Sequence, residues 1–508
     1  MRMLEKLRRL VSRRDPPPTL DPGVRIARAL AGVAAGRPGA ADAVRREMEA
    51  ARGRGWIAID AMLRRSLDPI YSAYGNAPPP AAEWVRGVAV PTNAACAVFA
   101  ALASHPDGYV REAAVERLAA IPGAVPIAPL LLRGTDWVAQ VRSRAADALR
   151  DRMRPEQAKD WVEALVLVTR LGASGRSDAR SLMSEVEAYL ASEGARGAVL
   201  EGIEANDREV RRACFRSLLR GAEGGAGLIR RGLESSDGAI RAHAGRAAER
   251  LPGSAAAGVV HLLLRDPLPP VRAAGVRLAA REPGARAILS HALFDRAAGV
   301  RREARAALAG EEPSPLAIYR NALRDGAAPA EPTLLGLSET GDSGDAWRAE
   351  PFLSHPRASV RRAALIALDR LAGAAATPAL VGGLGDESPA VCRAAARRLA
   401  PRIRGVDPRA LEACLGAGRP RHVRVAALAL LAARDKWEGL PAILDAISDT
   451  DGALRERGRE LLAHWRTRFN RSAVDPSPAQ RTAVLAALAG VEGSLDPETV
   501  RWLRFILR

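Results

Sequence analysis

A short phrase recurs along this chain at a fixed interval, and a fixed interval restricts the fold more than any local propensity does. The phrase is an aliphatic residue, an arginine beside it, then small residues at helical spacing, as in Ile240–Ala248. Val210–Ala213 and Val271–Ala274 repeat it. The aliphatic anchors are Val110, Val141, Val210, Ile240, Val271, Val300, Val360, Val391, Val423 and Leu454. Neighbouring anchors lie 29 to 32 residues apart, except 69 between Val141 and Val210 and 60 between Val300 and Val360. Each wide gap is about two periods and is read as hiding a degenerate repeat. A unit this short cannot bury its own apolar face, so it must stack on its neighbours. The period therefore favours one elongated array over several globular domains.

The spacing inside each unit says what is stacked. From Val271 the apolar positions continue at Ala274, Gly275, Leu278 and Ala279, one face of a helix. A loop holding Asp, Gly or Pro precedes each anchor, and a first helical stretch precedes the loop, such as Val125–Leu132 or Ala255–Leu264. No strand alternation of useful length appears. Apolar residues make up 48% of the chain and aromatics only 4%, so Ala and Leu carry the core and let helices approach closely.

The predicted fold is an all-α, right-handed α-solenoid of about eleven or twelve helix pairs with atypical helical caps at both ends. Residues 1–20 form a basic amphipathic segment and a Pro-rich spacer, and 21–104 an N-terminal cap with helices near 22–35, 39–52 and 55–73. Residues 105–474 are the array and 475–508 a C-terminal cap, for which Trp502 and Phe505 are suited. Within the array, 338–350 reads as an acidic flexible loop, an insertion or a hinge.

Composition excludes several classes. No run of about 18 uninterrupted apolar residues exists, so no transmembrane segment is expected. The first 14 residues lack the apolar run and cleavage site of a secretion signal, which points to the cytoplasm. As an amphipathic basic stretch they suit either a frayed terminus or a peripheral membrane or nucleic-acid arm. Cys96, Cys214, Cys392 and Cys414 form no CxxC pair, and the histidines show no zinc spacing, so no metal or cofactor is expected. Net charge is +18, carried by Arg apart from Lys6, Lys159 and Lys436, and hints at an anionic partner.

Segments such as Asp266-Pro267-Leu268-Pro269-Pro270-Val271-Arg272 and Asp449-Thr450-Asp451-Gly452-Ala453-Leu454-Arg455 resemble HEAT repeats, in particular the short bacterial type of bilin lyases. The resemblance spans roughly 105–470. It implies a solenoid whose members include scaffolds, nucleic-acid binders and a few enzymes. It also implies a loop Asp set six or four residues before the helix-opening Arg. Asp136, Asp266, Asp295 and Asp449 lie six before Arg142, Arg272, Arg301 and Arg455; Asp107, Asp207 and Asp237 lie four before Arg111, Arg211 and Arg241. Such an Asp can accept helix-end N–H bonds and can be bridged by an Arg across repeats, a structural role. His355 and Gly418 replace the distal Asp and Cys392 replaces the Arg, which leaves those rungs in question.

A second arginine set is the candidate binding surface. Arg216 and Arg220, Arg246 and Arg250, Arg277 and Arg281 stand at +6 and +10 from three consecutive anchors, outside the apolar face. They suit either an anionic partner or an ordinary solvated face neutralised by Glu209, Glu249 and Glu282. No catalytic residue is expected. The His-Glu dipeptides of HEAT-like iron hydroxylases are missing, and only Asp136-Trp137 and Asp160-Trp161 resemble the carboxylate and tryptophan of HEAT-like DNA glycosylases. The favoured function is a scaffold that binds a protein partner, with a nucleic-acid-binding solenoid as the alternative and a glycosylase or bilin lyase behind both.

Overall fold

A computed structural model describes residues 21–51, 55–72, 80–121, 127–172, 177–220 and 225–508. The basic segment 1–20 and most of the proline-rich stretch after Gly75 lie outside them, as does the membrane contact expected of residues 1–14. Every regular element among the described residues is a helix. The chain divides into two compact units, Met1–Leu251 and Pro252–Arg508. Both are all-α solenoid stacks of helix pairs.

The first unit opens with helices Pro22–Ala34, Ala40–Ala51 and Trp56–Ser72, packed on one another. The anchors Val110, Val141, Val210 and Ile240 lie in the first turn of helices Gly108–Ala120, Ala139–Arg150, Arg208–Arg220 and Gly238–Ala248, and three of them are buried. Val210 is the exposed-edge exception, half-buried. The wide gap holds Ala158–Gly172 and Ser177–Leu190, the second of which is bridged by Arg150–Glu185 on one side and Arg220–Glu187 on the other. A helix pair therefore fills the degenerate interval.

The second unit continues the pattern with Val271, Val300, Val360, Val391, Val423 and Leu454, all buried at helix starts. In Pro269–Ala279 the residues Val271, Ala274, Gly275, Leu278 and Ala279 are buried as the periodicity requires. A β-carbon on Gly275 would lie 2.9 Å from Leu263 Cβ and 3.0 Å from the Leu264 backbone nitrogen, so the pair closes against bare backbone. Each buried Val or Leu contributes roughly 1.5–3 kcal/mol, and nearest-neighbour stacking repeats that gain along the array.

Two expectations are corrected. Residues 338–350 are not a flexible acidic loop. Ser338–Thr340 end the helix Ala330–Thr340, and Ser343–Arg348 and Glu350–Ser354 are 3-10 turns packed on Ala358–Ala372, where a first helix would run. Their acids are consumed by arginines: Asp345 accepts twice from Arg320 at 2.8 Å, and Glu339 binds Arg301 and Arg305. At the other end, Phe505 is 68% exposed and does not pack into the terminal core. That core is an aromatic cluster of Trp437, Trp465, Phe469 and Trp502, with ring centroids 5.2 to 5.9 Å apart and the Lys436 ammonium 3.8 Å from the Phe469 centroid.

By length and composition alone the helical run Ala358–Leu384 could cross a membrane. It breaks at Gly373, at φ 56°, and its Arg361 and Asp369 are tied to neighbouring repeats, so it packs as a repeat.

Candidate interaction surfaces

The loops between paired helices are built from one device. Most helix-opening arginines fold back on their own loop and donate to the backbone carbonyl six residues earlier; Arg424, where Gly418 stands at the distal position, donates instead to Leu415 O at 2.7 Å. Arg142 reaches Asp136 O at 2.7 Å, Arg272 reaches Asp266 O at 2.8 Å, and Arg301 and Arg455 reach Asp295 O and Asp449 O at 2.7 Å. The other guanidinium edge bridges to the next repeat. Arg111 holds Asp136, Arg272 holds Asp295 and Arg424 holds Asp449, each through two hydrogen bonds. Such forked contacts to a carboxylate fix both distance and orientation.

The distal aspartates are therefore not helix caps. Their carboxylates accept from the N–H two residues on, as Asp136 from Val138, Asp266 from Leu268 and Asp295 from Ala297, and those downstream residues are the N-caps. Capping falls to Asp107, Asp237 and Asp451, each accepting from the second residue of its helix. Because the arginine reads a backbone carbonyl, the distal side chain can change. His355 Nδ1 accepts from Arg357 N, and Arg361 still reaches His355 O at 2.9 Å. Where Cys392 replaces the arginine, His422 Nε2 from the following repeat donates to Asp386 O at 2.9 Å.

A further set escaped the sequence reading. Arg117, Arg152, Arg402 and Arg434, towards or past the ends of second helices, donate to carbonyls at the C-terminal end of the preceding repeat. Arg117 reaches Arg86 O at 2.6 Å, Arg152 Ala119 O at 2.9 Å, Arg402 Gly373 O at 2.7 Å and Arg434 Ile403 O at 2.8 Å. Unsatisfied carbonyls and the negative helix terminus both favour a cation there. Part of the arginine content thereby joins repeats.

The densest polar site lies in the first unit. Asp136 is buried and takes hydrogen bonds from Arg111, at 2.8 and 2.9 Å, and from Arg133 at 3.3 Å, with Arg64 at 3.7 Å. Arg133 also donates to Asp60 at 2.5 Å, which pins Trp56–Ser72 to the array. Burial pushes the Asp136 carboxyl upward, but its bonds to Arg111 and Val138 win and leave it below the ordinary value. Burial lowers the Arg133 guanidinium to about 10, so it stays charged at neutral pH. Trp137 lies over Arg111 and Arg64, 5.2 and 5.5 Å from its centroid, and is itself 69% exposed. Asp136 cannot serve as a catalytic base while three guanidiniums compete for it. Trp161 is fully buried and donates to Arg152 O, a core residue.

The six candidate arginines divide. In the first unit Arg216 and Arg250 have no side-chain partner among the described residues, Arg220 pairs with Glu187, and Arg246 donates to His243 Nδ1 at 2.7 Å. In the second unit Arg277 pairs with Glu303 at 3.3 Å, and Arg281 is exposed. Burial lowers the His243 pKa first, and the charges of Arg246, Arg216, Arg212 and Arg220 lower it further. Among the described residues no group of three or more His, Cys, Asp or Glu could hold a metal ion.

No protein-family model and no curated protein matches the chain. Among solved structures it is similar to Kap95p in a complex with RanGDP, at 12% identity and a TM-score of 0.35, covering 100% of this chain and 65% of that one. Kap121p bound to Pho4p matches at 14% identity and 0.33, over 95% of this chain and 51% of that one. A tumor overexpressed gene domain array of microtubule polymerases matches at 12% identity and 0.22, over 72% and 99%. At these scores the likeness carries no argument, and the HEAT-like helix-pair fold rests on the packing and rungs described above.

Proposed function

We propose that the protein is a non-catalytic scaffold that binds a protein partner on its stacked repeats. The observation that carries this reading is a pair of exposed aromatics, Tyr109 in the first turn of Gly108–Ala120 and Trp137 on the loop before Ala139–Arg150. Tyr109 is 63% and Trp137 69% exposed, and a β-carbon on Gly108 would lie 3.2 Å from Val138 Cγ2. Arg111, fully buried and locked to Asp136, backs the Trp137 ring. Aromatic side chains held rigid at a surface lose little entropy on docking and dominate protein interfaces.

The experiment is capture from nuclease-treated lysate on the immobilised full chain, beside Tyr109→Ala and Trp137→Ala. Loss of a specifically captured protein in both variants, at unchanged melting temperature, supports the scaffold. Capture undiminished in both, or capture that nuclease abolishes, removes it.

Nucleic-acid binding has less support, because arginines that open the second helices, such as Arg111, Arg142, Arg272, Arg301 and Arg361, are engaged in rungs, and catalysis less still, given the saturation of Asp136. The cytoplasmic setting is part of the proposal and fits the buried free thiols of Cys214, Cys392 and Cys414. The finer likeness to bilin-lyase-type repeats rests on the loop pattern alone.

A further inference from the structure

Helices Arg208–Arg220 and Gly238–Ala248, with Arg250 just past the second, hold His243, Arg216, Arg246 and Arg250 as a cluster with no carboxylate among them. Arg246 can only donate, so His243 Nδ1 accepts, the imidazole proton sits on Nε2, and that N–H has no partner among the described residues. Arg216 has none either; it lies on helix Arg208–Arg220, which packs directly on Gly238–Ala248, and its charge adds to the lowering of the His243 pKa. Arg246 and Arg250 are exposed. Stacked helices lie about 8–10 Å apart, so Arg216 and Arg246, at the same register, face one short stretch of ligand.

We propose that His243, Arg216 and Arg246, with Arg250 at the rim, dock an acidic segment of the protein partner, a run of Asp or Glu side chains. The inference rests on the scaffold reading. Carboxylates supply acceptors for these donors, and guanidinium forks match them. A nucleic-acid strand fits less well for two reasons. Carboxylates bound the cluster, with Glu187 on Arg220 and both Asp237 and Glu209 on Arg212, so a long polyanion would meet repulsion at its margins. No large hydrophobic or aromatic side chain of either helix is strongly exposed, so bases would find no ring to stack on.

The test is fluorescence anisotropy of a labelled hexaglutamate peptide against the full chain at 0.05 and 0.15 M salt. A labelled six-nucleotide thymidylate strand is titrated in parallel. The expected result is saturable peptide binding, weakened about tenfold or more by Arg216→Glu combined with Arg246→Glu, and by the gentler Arg216→Gln with Arg246→Gln. Arg459→Glu, in the second unit, should leave it unchanged. Circular dichroism melts of each variant separate misfolding from lost contact. Peptide binding indifferent to both double variants overturns the proposal, and so does a thymidylate strand bound more tightly than the peptide. Either failure would leave the scaffold reading standing, since that reading is decided at Tyr109 and Trp137.

Discussion

His105 occupies the distal loop position that aspartate holds elsewhere, and its Nδ1 accepts from Asp107 N at 3.0 Å. Burial lowers its pKa to about 4 against an ordinary 6.5; Asp107 opposes that shift and Arg111 adds to it. Between those values the unfolded chain binds a proton that the folded one refuses. Stability is therefore full above about pH 6.5 and falls as pH drops towards 4, by up to roughly 3 kcal/mol at 1.36 kcal/mol per unit. Urea unfolding of the first unit's signal at pH 7 and pH 5 should show this loss, and His105→Asn should flatten it while keeping an acceptor. The aspartate rungs act in the same direction at lower pH, because Asp136 and Asp237 are held below the usual range, keep their charge until more acidic pH, and lose their stabilisation as they are protonated. The recurrence of Asp and Arg was legible in the sequence, but their bonding was not. Arg272 was matched to Asp266 by spacing, yet it meets the Asp266 carbonyl and the Asp295 carboxylate. A carbonyl has no letter in a sequence.

Elements were read more fully than contacts. The helices Pro22–Ala34, Ala40–Ala51 and Trp56–Ser72 appear within a few residues of the patterns near 22–35, 39–52 and 55–73, because a 3.6-residue apolar rhythm survives even where the repeat phrase is missing. The 3-10 turns at Ser343–Arg348 have no such rhythm, and their acids suggested solvent instead of the buried Asp345. Close approach was also hidden, since Gly275 looks like a weak helix residue until Leu263 and Leu264 are seen against it. Gly275→Ala should gain about 1 kcal/mol in helix propensity and lose about 1–3 kcal/mol to overpacking, a net destabilisation measurable as a lower urea midpoint. An unchanged or higher midpoint would mean that the pair can open by a few tenths of an ångström at no cost.

At the scale of the whole chain, stability is a sum of like terms between neighbours, and arginines such as Arg111, Arg272 and Arg424 join one repeat to the next. The period made this legible, whereas the binding surface was only sketched: the arginine register led to Arg216 and Arg246, but nothing in the pattern joined His243 to Arg246. The terminal aromatic cluster carries a separate consequence, which is optical. Three of the eight tryptophans, Trp437, Trp465 and Trp502, are coupled to one another within that cluster. Their emission reports one end of the molecule, while the far-ultraviolet dichroism of the helices averages over all of it. If repeats unravel from an end, as a quasi-one-dimensional stack permits, emission and dichroism should trace different curves in the same urea titration. Trp465→Phe should then shift the emission curve and leave the dichroism nearly in place. Superimposed curves would instead mean that the chain melts as one cooperative body, with the light from its last helices speaking for every repeat.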